Sequence, residues 1–234
     1  MMAAMTFCSQ AAQKEDTFQT PGGKTVTIHH IKHASVYIEY DGKHIYIDPV
    51  GDLAPRTDFS NYPKANILLV THEHFDHFDN LGIVKLCSNV TAVYANAAVR
   101  GKISRGMALH NGDSIILSKD LKIWAVPAYN TTVGREEMHP RGRDNGYVLE
   151  LDGLRIYLAG DTEDIPEMAD LKDIDIAFLP CNQPYTMTID QLIKAANVIN
   201  PKVLFPYHYS DTPISQLLLK MAGGDIDVRI RDYK

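Results

Sequence analysis

The apolar run NILLV, residues 66–70, leads directly into the decapeptide THEHFDHFDN, residues 71–80. The run is short and has polar residues on both sides, which is typical of a strand buried on both faces of a sheet. The decapeptide contains three histidines, two aspartates and one glutamate. Because imidazole and carboxylate groups without thiolates suit zinc, manganese or iron, the stretch predicts a metal site at the end of a buried strand.

Four side chains of the decapeptide are spaced as ligands of two neighbouring ions. His72 and His74 alternate by two, so in an extended segment both point to the same side. Asp76 and His77 follow where the chain is expected to turn into a helix. Four ligands from six residues would crowd one tetrahedral ion, but they can serve two adjacent ions. A histidine-rich turn that caps a surface helix is the alternative, and it would need only one of Asp76 and Asp79.

The composition indicates one folded domain. The chain has 234 residues, 45% of them hydrophobic, which suffices for one substantial core. It carries 23 lysines and arginines against 29 aspartates and glutamates, a net charge of −6, so nucleic acid is not expected as a partner. No apolar run approaches the roughly 18 to 20 residues that cross a bilayer. Cys8, Cys87 and Cys181 are too few and too scattered for a disulfide framework or a thiolate zinc site.

The first residues have a separate character. The segment MMAAMTFCSQAAQ, residues 1–13, is small, apolar and uncharged, like the end of a secretory signal, although a basic n-region is missing. Ser9-Gln10-Ala11 offers a small-x-small cleavage pattern. We therefore divide the chain into a signal-like or disordered segment, residues 1–20, and a single domain, residues 21–234. This division predicts a periplasmic or secreted protein, and a cytoplasmic protein with an unstructured tail is the alternative.

The order of predicted elements repeats about 110 residues further along the chain. Two strands around Asp41-Gly42 precede the run NILLV, and two strands around Asp152-Gly153 precede the run DIDIAFLP, residues 173–180. An aspartate–glycine pair between alternating apolar residues is a strong signal for a β-hairpin. The repeat predicts two similar half-domains. The expected fold class is α/β (α+β in four layers), an αββα sandwich of two mixed β-sheets with outer helices.

Helices are predicted at residues 79–88, after Thr188, and in the last apolar segment. Thr188 and Gln191 have the spacing of a capping box ahead of an apolar helix face. Layered folds place their chemistry just past the ends of buried strands. Three polar residues occupy such positions here: His72, Asp161 and His208.

The pattern His72-x-His74-x-Asp76-His77 matches the H-x-H-x-D-H signature of the metallo-β-lactamase superfamily. The chain resembles that superfamily at three further places: GDT at residues 160–162, PYHY at 206–209, and KHASVYIEYDGKHIYIDP at 32–49. The last stretch is similar to the opening of the subgroup that contains ascorbate-phosphate lactonases and related metal-dependent hydrolases. The resemblance runs from about residue 25 to about residue 210 and implies the αββα fold for the hydrolase domain.

The resemblance also implies a ligand set and a cofactor. The expected cofactor is a pair of divalent ions, zinc first, with manganese or iron as alternatives. One ion would be bound by His72 and His74, the other by Asp76, His77 and His208, with Asp161 bridging the two.

The sequence departs from the superfamily at one ligand of the first ion. The superfamily usually supplies a further histidine from the loop before the second hairpin, but here Tyr129 and Asn130 stand at that place. Either the first ion lacks a protein ligand, or another residue substitutes. His139 is the candidate, because it lies in a polar loop of about 18 residues, 129–146, and loops of that length tend to be functional. A solvated loop histidine is the alternative.

Further residues are candidates for supporting roles. The resemblance places His33 beside the metal cleft, in a metal-binding or substrate-binding role. Asp48 is either a turn residue before proline or the acceptor that orients a metal-bound histidine. The long loop also contains three arginines that could grip an anion, unless nearby carboxylates neutralise them: Arg135, Arg141 and Arg143.

These features predict an enzyme that hydrolyses a small-molecule ester, lactone or amide with a metal-activated hydroxide. Asp76 and Asp161 would be its catalytic carboxylates. No G-x-S-x-G motif is present, so a serine nucleophile has no support. A phosphodiesterase or phospholipase D-like hydrolase is one alternative, and a non-catalytic metal-binding remnant is another. The sequence makes no prediction about the oligomeric state.

Overall fold

The computed structural model describes residues 13–233. Within this range fourteen strands form two seven-stranded sheets. The first sheet contains β1 (Glu15–Gln19), β2 (Thr25–Lys32), β3 (Ser35–Tyr40), β4 (Lys43–Ile47), β5 (Ile67–Val70), β6 (Ala92–Ala95) and β7 (Met107–Ala108). The second contains β8 (Ser114–Ser118), β9 (Leu121–Ala128), β10 (Asp144–Leu151), β11 (Leu154–Leu158), β12 (Ile176–Pro180), β13 (Val203–Tyr207) and β14 (Asp227–Val228). The α-helices are α1 (Asn80–Leu86), α2 (Ala97–Lys102), α3 (Ile189–Ile199) and α4 (Ser215–Lys220).

The two sheets have the same topology. In the first sheet, β1 to β4 pair antiparallel, and β5, β6 and β7 are then added in parallel. In the second sheet, β8 to β11 pair antiparallel, and β12, β13 and β14 are added in parallel. One hydrophobic cluster draws residues from both sheets, so their inner faces share a core. The predicted sandwich of two mixed sheets with two similar halves is confirmed.

Both predicted hairpins are present at the predicted turns. Tyr40 pairs with Lys43 across Asp41-Gly42, and Leu151 pairs with Leu154 across Asp152-Gly153. Asp41 and Asp152 have φ angles of 50° and 49°. Positive φ at the first turn residue matches the two-residue hairpin turns that fit the right-handed twist of paired strands.

Strand β5 is buried at all four positions and lies between β4 and β6, as the run NILLV predicts. Helix α1 begins directly after Asp79, whose side chain accepts a hydrogen bond from the Leu81 amide. The decapeptide is therefore held between a buried strand and a capped helix.

The predicted capping box of helix α3 is also present, with Thr188 and Gln191 bonded reciprocally.

The N-terminal part of the described chain forms a strand that the sequence analysis missed. Strand β1 is an edge strand paired with β2, although its residues lie in the segment 1–20 that we separated from the domain. Its sequence EDTFQ has little apolar alternation, and buried charge holds it instead. Asp16 is 3% exposed and accepts hydrogen bonds from His30 (2.8 Å) and Arg231 (2.7 Å). The rest of the signal-like segment, residues 1–12, lies outside the described residues.

Strands β1 and β14 bring the two ends of the described chain to one side of the sandwich, where Arg229 pairs with Asp16 at 3.0 Å.

None of the helices within residues 13–233 has the length and apolar character needed to cross a bilayer.

Candidate metal centre

The ends of several strands meet at one edge of the sandwich. The decapeptide follows β5, Asp161 follows β11 and His208 follows β13. His33 lies in the turn between β2 and β3, and His139 lies in the loop between β9 and β10. Side chains from five separate segments are thereby brought together, and each is anchored by an element of the core.

The first group consists of His72, His74 and His139, whose ligand atoms all lie within 4.8 Å of one another. His139 Nε2 is 3.2 Å from His74 Nδ1 and 3.3 Å from Asp161 Oδ2. His139 is 1% exposed, so it is not a solvated loop residue. The structure therefore places this histidine beside the two that the sequence analysis assigned to the first ion.

The second group consists of His33, Asp76, His77 and His208, whose ligand atoms also lie within 4.8 Å of one another. Asp76 Oδ2 is 3.0 Å from His33 Nε2 and 3.3 Å from His208 Nε2. The structure thus gives His33 a place among the side chains assigned to the second ion.

Asp161 lies between the two groups and contacts both. Its Oδ1 is 3.1 Å from His77 Nε2, and its Oδ2 is 3.4 Å from His208 Nε2 and 3.9 Å from His72 Nε2. With the contact to His139, one carboxylate faces histidines of both groups. This is the position that a bridging ligand requires.

Asp48 orients His77. Its carboxylate accepts hydrogen bonds from His77 Nδ1, the Thr71 amide and the Thr71 hydroxyl, each at 2.7 Å. Because Nδ1 donates to Asp48, the Nε2 atom of His77 is left to face Asp161. A carboxylate behind a metal-binding imidazole has this role in many metalloproteins.

The donor set fits divalent cations. Buried nitrogen and oxygen atoms normally have hydrogen-bond partners, and each one without a partner costs about 1–3 kcal/mol. Three such atoms without a partner are Nε2 of His72, Nε2 of His77 and Oδ1 of Asp161, and these three residues form a further group whose ligand atoms lie within 4.8 Å of one another. Imidazole and carboxylate donors of this kind suit zinc, manganese and iron.

The electrostatics agree with this fit. Burial lowers the pKa of His72 well below its usual value and lowers the pKa values of His33 and His139 to about 4 each. Burial alone would raise the pKa of Asp161, but the surrounding histidines hold it well below the usual range. Burial likewise opposes charge on His77, but Asp161 and Asp48 raise its pKa well above the usual value. At neutral pH the imidazoles of His33, His72 and His139 are therefore neutral and the Asp161 carboxylate is ionised, whereas His77 keeps a proton that a bound cation would displace.

Comparisons with known proteins show the family of this chain. The family model of the β-lactamase superfamily domain matches residues 27–208. The chain belongs to this superfamily. A relative from Nanoarchaeum equitans, named a UPF0173 metal-dependent hydrolase, is 31% identical over 195 residues, which cover 80% of this chain and 85% of the relative.

Solved structures give the same result. A crystal structure titled as a metal-dependent hydrolase from Parabacteroides distasonis superposes with a TM-score of 0.90 at 52% identity, covering 94% of this chain and 99% of the other. The metallo hydrolase Igni18 from Ignicoccus hospitalis has a TM-score of 0.74 at 25% identity, covering 88% and 95%. The chain is therefore a metal-dependent hydrolase of the metallo-β-lactamase fold.

In this hydrolase, Asn130 is one of the two residues found where the sequence analysis expected a histidine, and it closes the loop that contains His139. The Asn130 amide donates to the His139 carbonyl at 2.9 Å. The Asn130 side chain donates to the carbonyls of Arg135 (3.3 Å) and Tyr185 (2.8 Å). Asn130 therefore helps to hold the loop that places His139 beside His72 and His74.

Glu163 holds the start of the same loop, and the sequence analysis missed it. Its Oε2 accepts hydrogen bonds from the Thr131 amide (2.8 Å), the Thr131 hydroxyl (3.0 Å) and the Thr132 amide (2.6 Å). Glu163 is fully buried. The one sequence signal for it is an acidic residue two positions after Asp161, which by itself indicates nothing about a distant loop.

The three arginines of the loop are paired with protein groups. Arg143 donates to Asp144 at 2.7 Å, and Arg141 donates to Glu167 at 2.6 Å. Arg135 donates to the Gln183 side chain and lies 3.8 Å from Glu163. No loop arginine lines the cavity described below. The hypothesis that they bind an anion therefore has no geometric support in the described residues.

A cavity of about 940 Å³ opens above the hydrolase's histidine cluster. Its floor includes His74, Asp76, His139 and Asp161. Its walls come from the loop after β4, the decapeptide, the loop before β10, the segment after β12 and the C-terminal segment. The volume is that of a site for a small molecule.

Proposed function

We propose that this chain is a dinuclear metal hydrolase that cleaves a small ester, lactone or amide. The observation that carries the proposal is the pair of ligand groups that share Asp161. A single-ion site would need only one of the two groups. The cavity above Asp161 and Asp76 provides the place for a substrate.

In the proposed site, one ion would be held by His72, His74 and His139. The other would be held by Asp76, His77 and His208, with His33 within reach, and Asp161 would bridge. Zinc is the expected metal, with manganese or iron as alternatives. Bound ions would lower the pKa of water from 15.7 to about 7 and would polarise a carbonyl oxygen.

The chain's own carboxylate Asp76 would orient the water. Burial alone would raise the pKa of Asp76, but His208 and His33 hold it well below the usual range, so the carboxylate is ionised at neutral pH. Its side chain is 20% exposed and lines the cavity, so it can accept a hydrogen bond from water and orient that water toward a substrate carbonyl. Asp76 would therefore position the nucleophile by accepting its hydrogen bond.

The alternatives from the sequence have less support. A non-catalytic remnant was suggested by a first ion short of a ligand, but His139 lies with His72 and His74. A phosphodiesterase would gain from a free guanidinium near the cavity, and the loop arginines are paired elsewhere.

The first test is the metal content of untagged protein purified without chelator, measured by elemental analysis. We expect two equivalents in the wild type and about one in His139→Ala. His110→Ala is the matched control, since His110 has a side chain that is 70% exposed and lies outside the cluster. It should retain two equivalents.

One equivalent in the wild type would contradict the dinuclear proposal, and two equivalents in His139→Ala would remove His139 from the ligand set. Hydrolysis of a panel of esters, lactones and amides, lost with chelator and restored by the identified metal, tests the reaction itself.

A further inference from the structure

Part of the cavity wall is apolar. Its lining includes Leu53, Phe75, Met138 and Tyr185. Phe75 is 77% exposed and Tyr185 is 50% exposed, although large aromatic side chains are usually buried. These side chains line the same cavity as the metal ligands, so a substrate on the floor has apolar groups within reach.

The charged groups of the lining are mostly acidic. Five carboxylates line the cavity against two lysines. Two of the carboxylates, Asp76 and Asp161, are metal-site residues on the floor, and two others, Glu137 and Asp211, are exposed at the mouth. The ions would attract the reacting oxygen at the floor. An anionic group at the other end of a substrate would lie near the carboxylates of the mouth.

Of the two lysines of the lining, Lys32 is not placed to bind an anion, and Lys102 is the one that is open to the cavity. Lys32 is 3% exposed, and its ammonium donates to the carbonyls of Leu53 (2.6 Å), Pro55 (2.7 Å) and Gly51 (3.4 Å). An ammonium has three donors, and all three are used. Lys32 thus holds the wall loop that carries Leu53. Lys102 is exposed, and its ammonium lies 5.8 Å from the centre of the Phe78 ring.

We propose that the cavity selects substrates whose acyl group is uncharged and apolar, and that it disfavours substrates with a second anionic group. This inference rests on the proposed hydrolysis at the same site and names its substrate class. The acyl chain would lie against Leu53, Met138 and Tyr185 with its carbonyl at the floor. The apolar walls favour such a chain, and the five carboxylates of the lining outnumber its two lysines, of which only Lys102 is open to a distal anion.

The decisive test is calorimetric titration of the metal-loaded protein with hydroxamic acids, which anchor on metal ions and need no turnover. Acetohydroxamate, butyrohydroxamate and hexanohydroxamate form the apolar series. Adipic monohydroxamate has the length of hexanohydroxamate and a terminal carboxylate. We expect affinity to rise at least tenfold along the series, because each fully buried methylene contributes about fourfold. Adipic monohydroxamate should bind at least tenfold more weakly than hexanohydroxamate.

Equal affinities along the series, or tighter binding of adipic monohydroxamate, would overturn the inference. Selection in turnover is tested with the p-nitrophenyl esters of the same two acyl groups, hexanoyl and adipic monoacyl. The two kcat/KM values are compared. Turnover without a preference for the hexanoyl ester overturns the selectivity and leaves the proposed function. If the protein prefers the apolar hydroxamates but hydrolyses no ester, lactone or amide, the proposed function is overturned and the selectivity stands.

Variants locate the selectivity in the walls. Tyr185→Ala and Leu53→Ala should each weaken hexanohydroxamate several-fold while acetohydroxamate and metal content stay unchanged. Leu81→Ala is the control, because Leu81 is also a large exposed apolar residue, 72% exposed, and lies outside the cavity lining. An equal effect of Leu81→Ala would show that the walls are not the cause.

The charge is tested separately. The double variant Glu137→Gln and Asp211→Asn should strengthen adipic monohydroxamate several-fold and leave hexanohydroxamate unchanged. An unchanged affinity for the anionic compound would remove the mouth carboxylates from the explanation.

Discussion

His77 shows how single residues determine this site. Its Nδ1 donates to Asp48 at 2.7 Å, and its Nε2 lies 3.1 Å from Asp161. Asp48 itself has a φ of 45° and accepts from the Thr71 amide as well. One carboxylate therefore fixes both the ring of His77 and the backbone at the exit of β5.

Asp48→Asn is expected to weaken metal binding by about 10-fold to 100-fold, because the loss of a carboxylate behind a metal ligand has effects of this size. The neutral amide would bind the imidazole less firmly and leave the ring orientation less defined. Chelator competition measures the affinity. Asp52→Asn is the control, since the Asp52 side chain is 77% exposed and pairs with Arg56 at the surface. Equal affinities of Asp48→Asn and the wild type would show that Asp48 does not support His77.

At the scale of elements, the loop between β9 and β10 determines whether the first ligand group is complete. It is held at two places, one within the loop and one by a residue outside it. Asn130 bonds to the His139 carbonyl, and Glu163 bonds to Thr131 and Thr132. Because both anchors belong to the loop base, His139 is held even though it lies on a long connection.

Glu163→Gln is expected to lower metal occupancy from two equivalents toward one, with the secondary structure retained. An ionised carboxylate accepts hydrogen bonds about twice as strongly as a neutral group, so the amide would hold the loop base less firmly. Elemental analysis after dialysis against a weak chelator measures the occupancy. Glu136→Gln is the matched control, because Glu136 lies on the same loop and is exposed. Full occupancy in Glu163→Gln would mean that Asn130 alone positions the loop.

At the scale of the whole molecule, Asp16 joins the two ends of the described chain. Its carboxylate on β1 accepts from His30 on β2 and from Arg229 and Arg231 near the C-terminus. The His30 ring lies 2.5 Å from the Tyr233 hydroxyl, and the Tyr233 carbonyl accepts from the His33 amide. The contact between the chain ends therefore extends to a residue of the second ligand group.

This network predicts a loss of stability in acid. Burial alone would raise the pKa of Asp16, but His30 and Arg231 hold it well below the usual 3.8. The ionised carboxylate therefore adds to the free energy of unfolding above pH 3.8, and this contribution is lost as the pH falls below that value. Burial lowers the pKa of His30, so below the usual 6.5 the unfolded state binds more protons and stability also falls. We expect the free energy of unfolding to decrease from pH 7 to pH 5 and again toward pH 3.5, measured by urea denaturation.

Asp16→Asn isolates the carboxylate from other acid effects, including loss of metal. At pH 7 the variant should lose about 3–5 kcal/mol, the cost of breaking a buried ion pair. The difference between wild type and variant should narrow as the pH approaches 3.5. A difference that stays constant with pH would contradict the assigned role.

The sequence by itself determined the repeated hairpins, the buried strand, the sandwich and the ligand pattern from His72 to His77. Those features depend on residues that are close in the chain, so periodicity and spacing express them. Only the tertiary structure brought His139 and His33 into the two groups, placed Glu163 under the loop, paired the three arginines away from the cavity and added β1 to the sheet. Apart from the pairing of Arg143 with its neighbour Asp144, these features depend on hydrogen bonds and ion pairs between segments far apart in the chain, and such segments meet only once the hydrophobic core has packed.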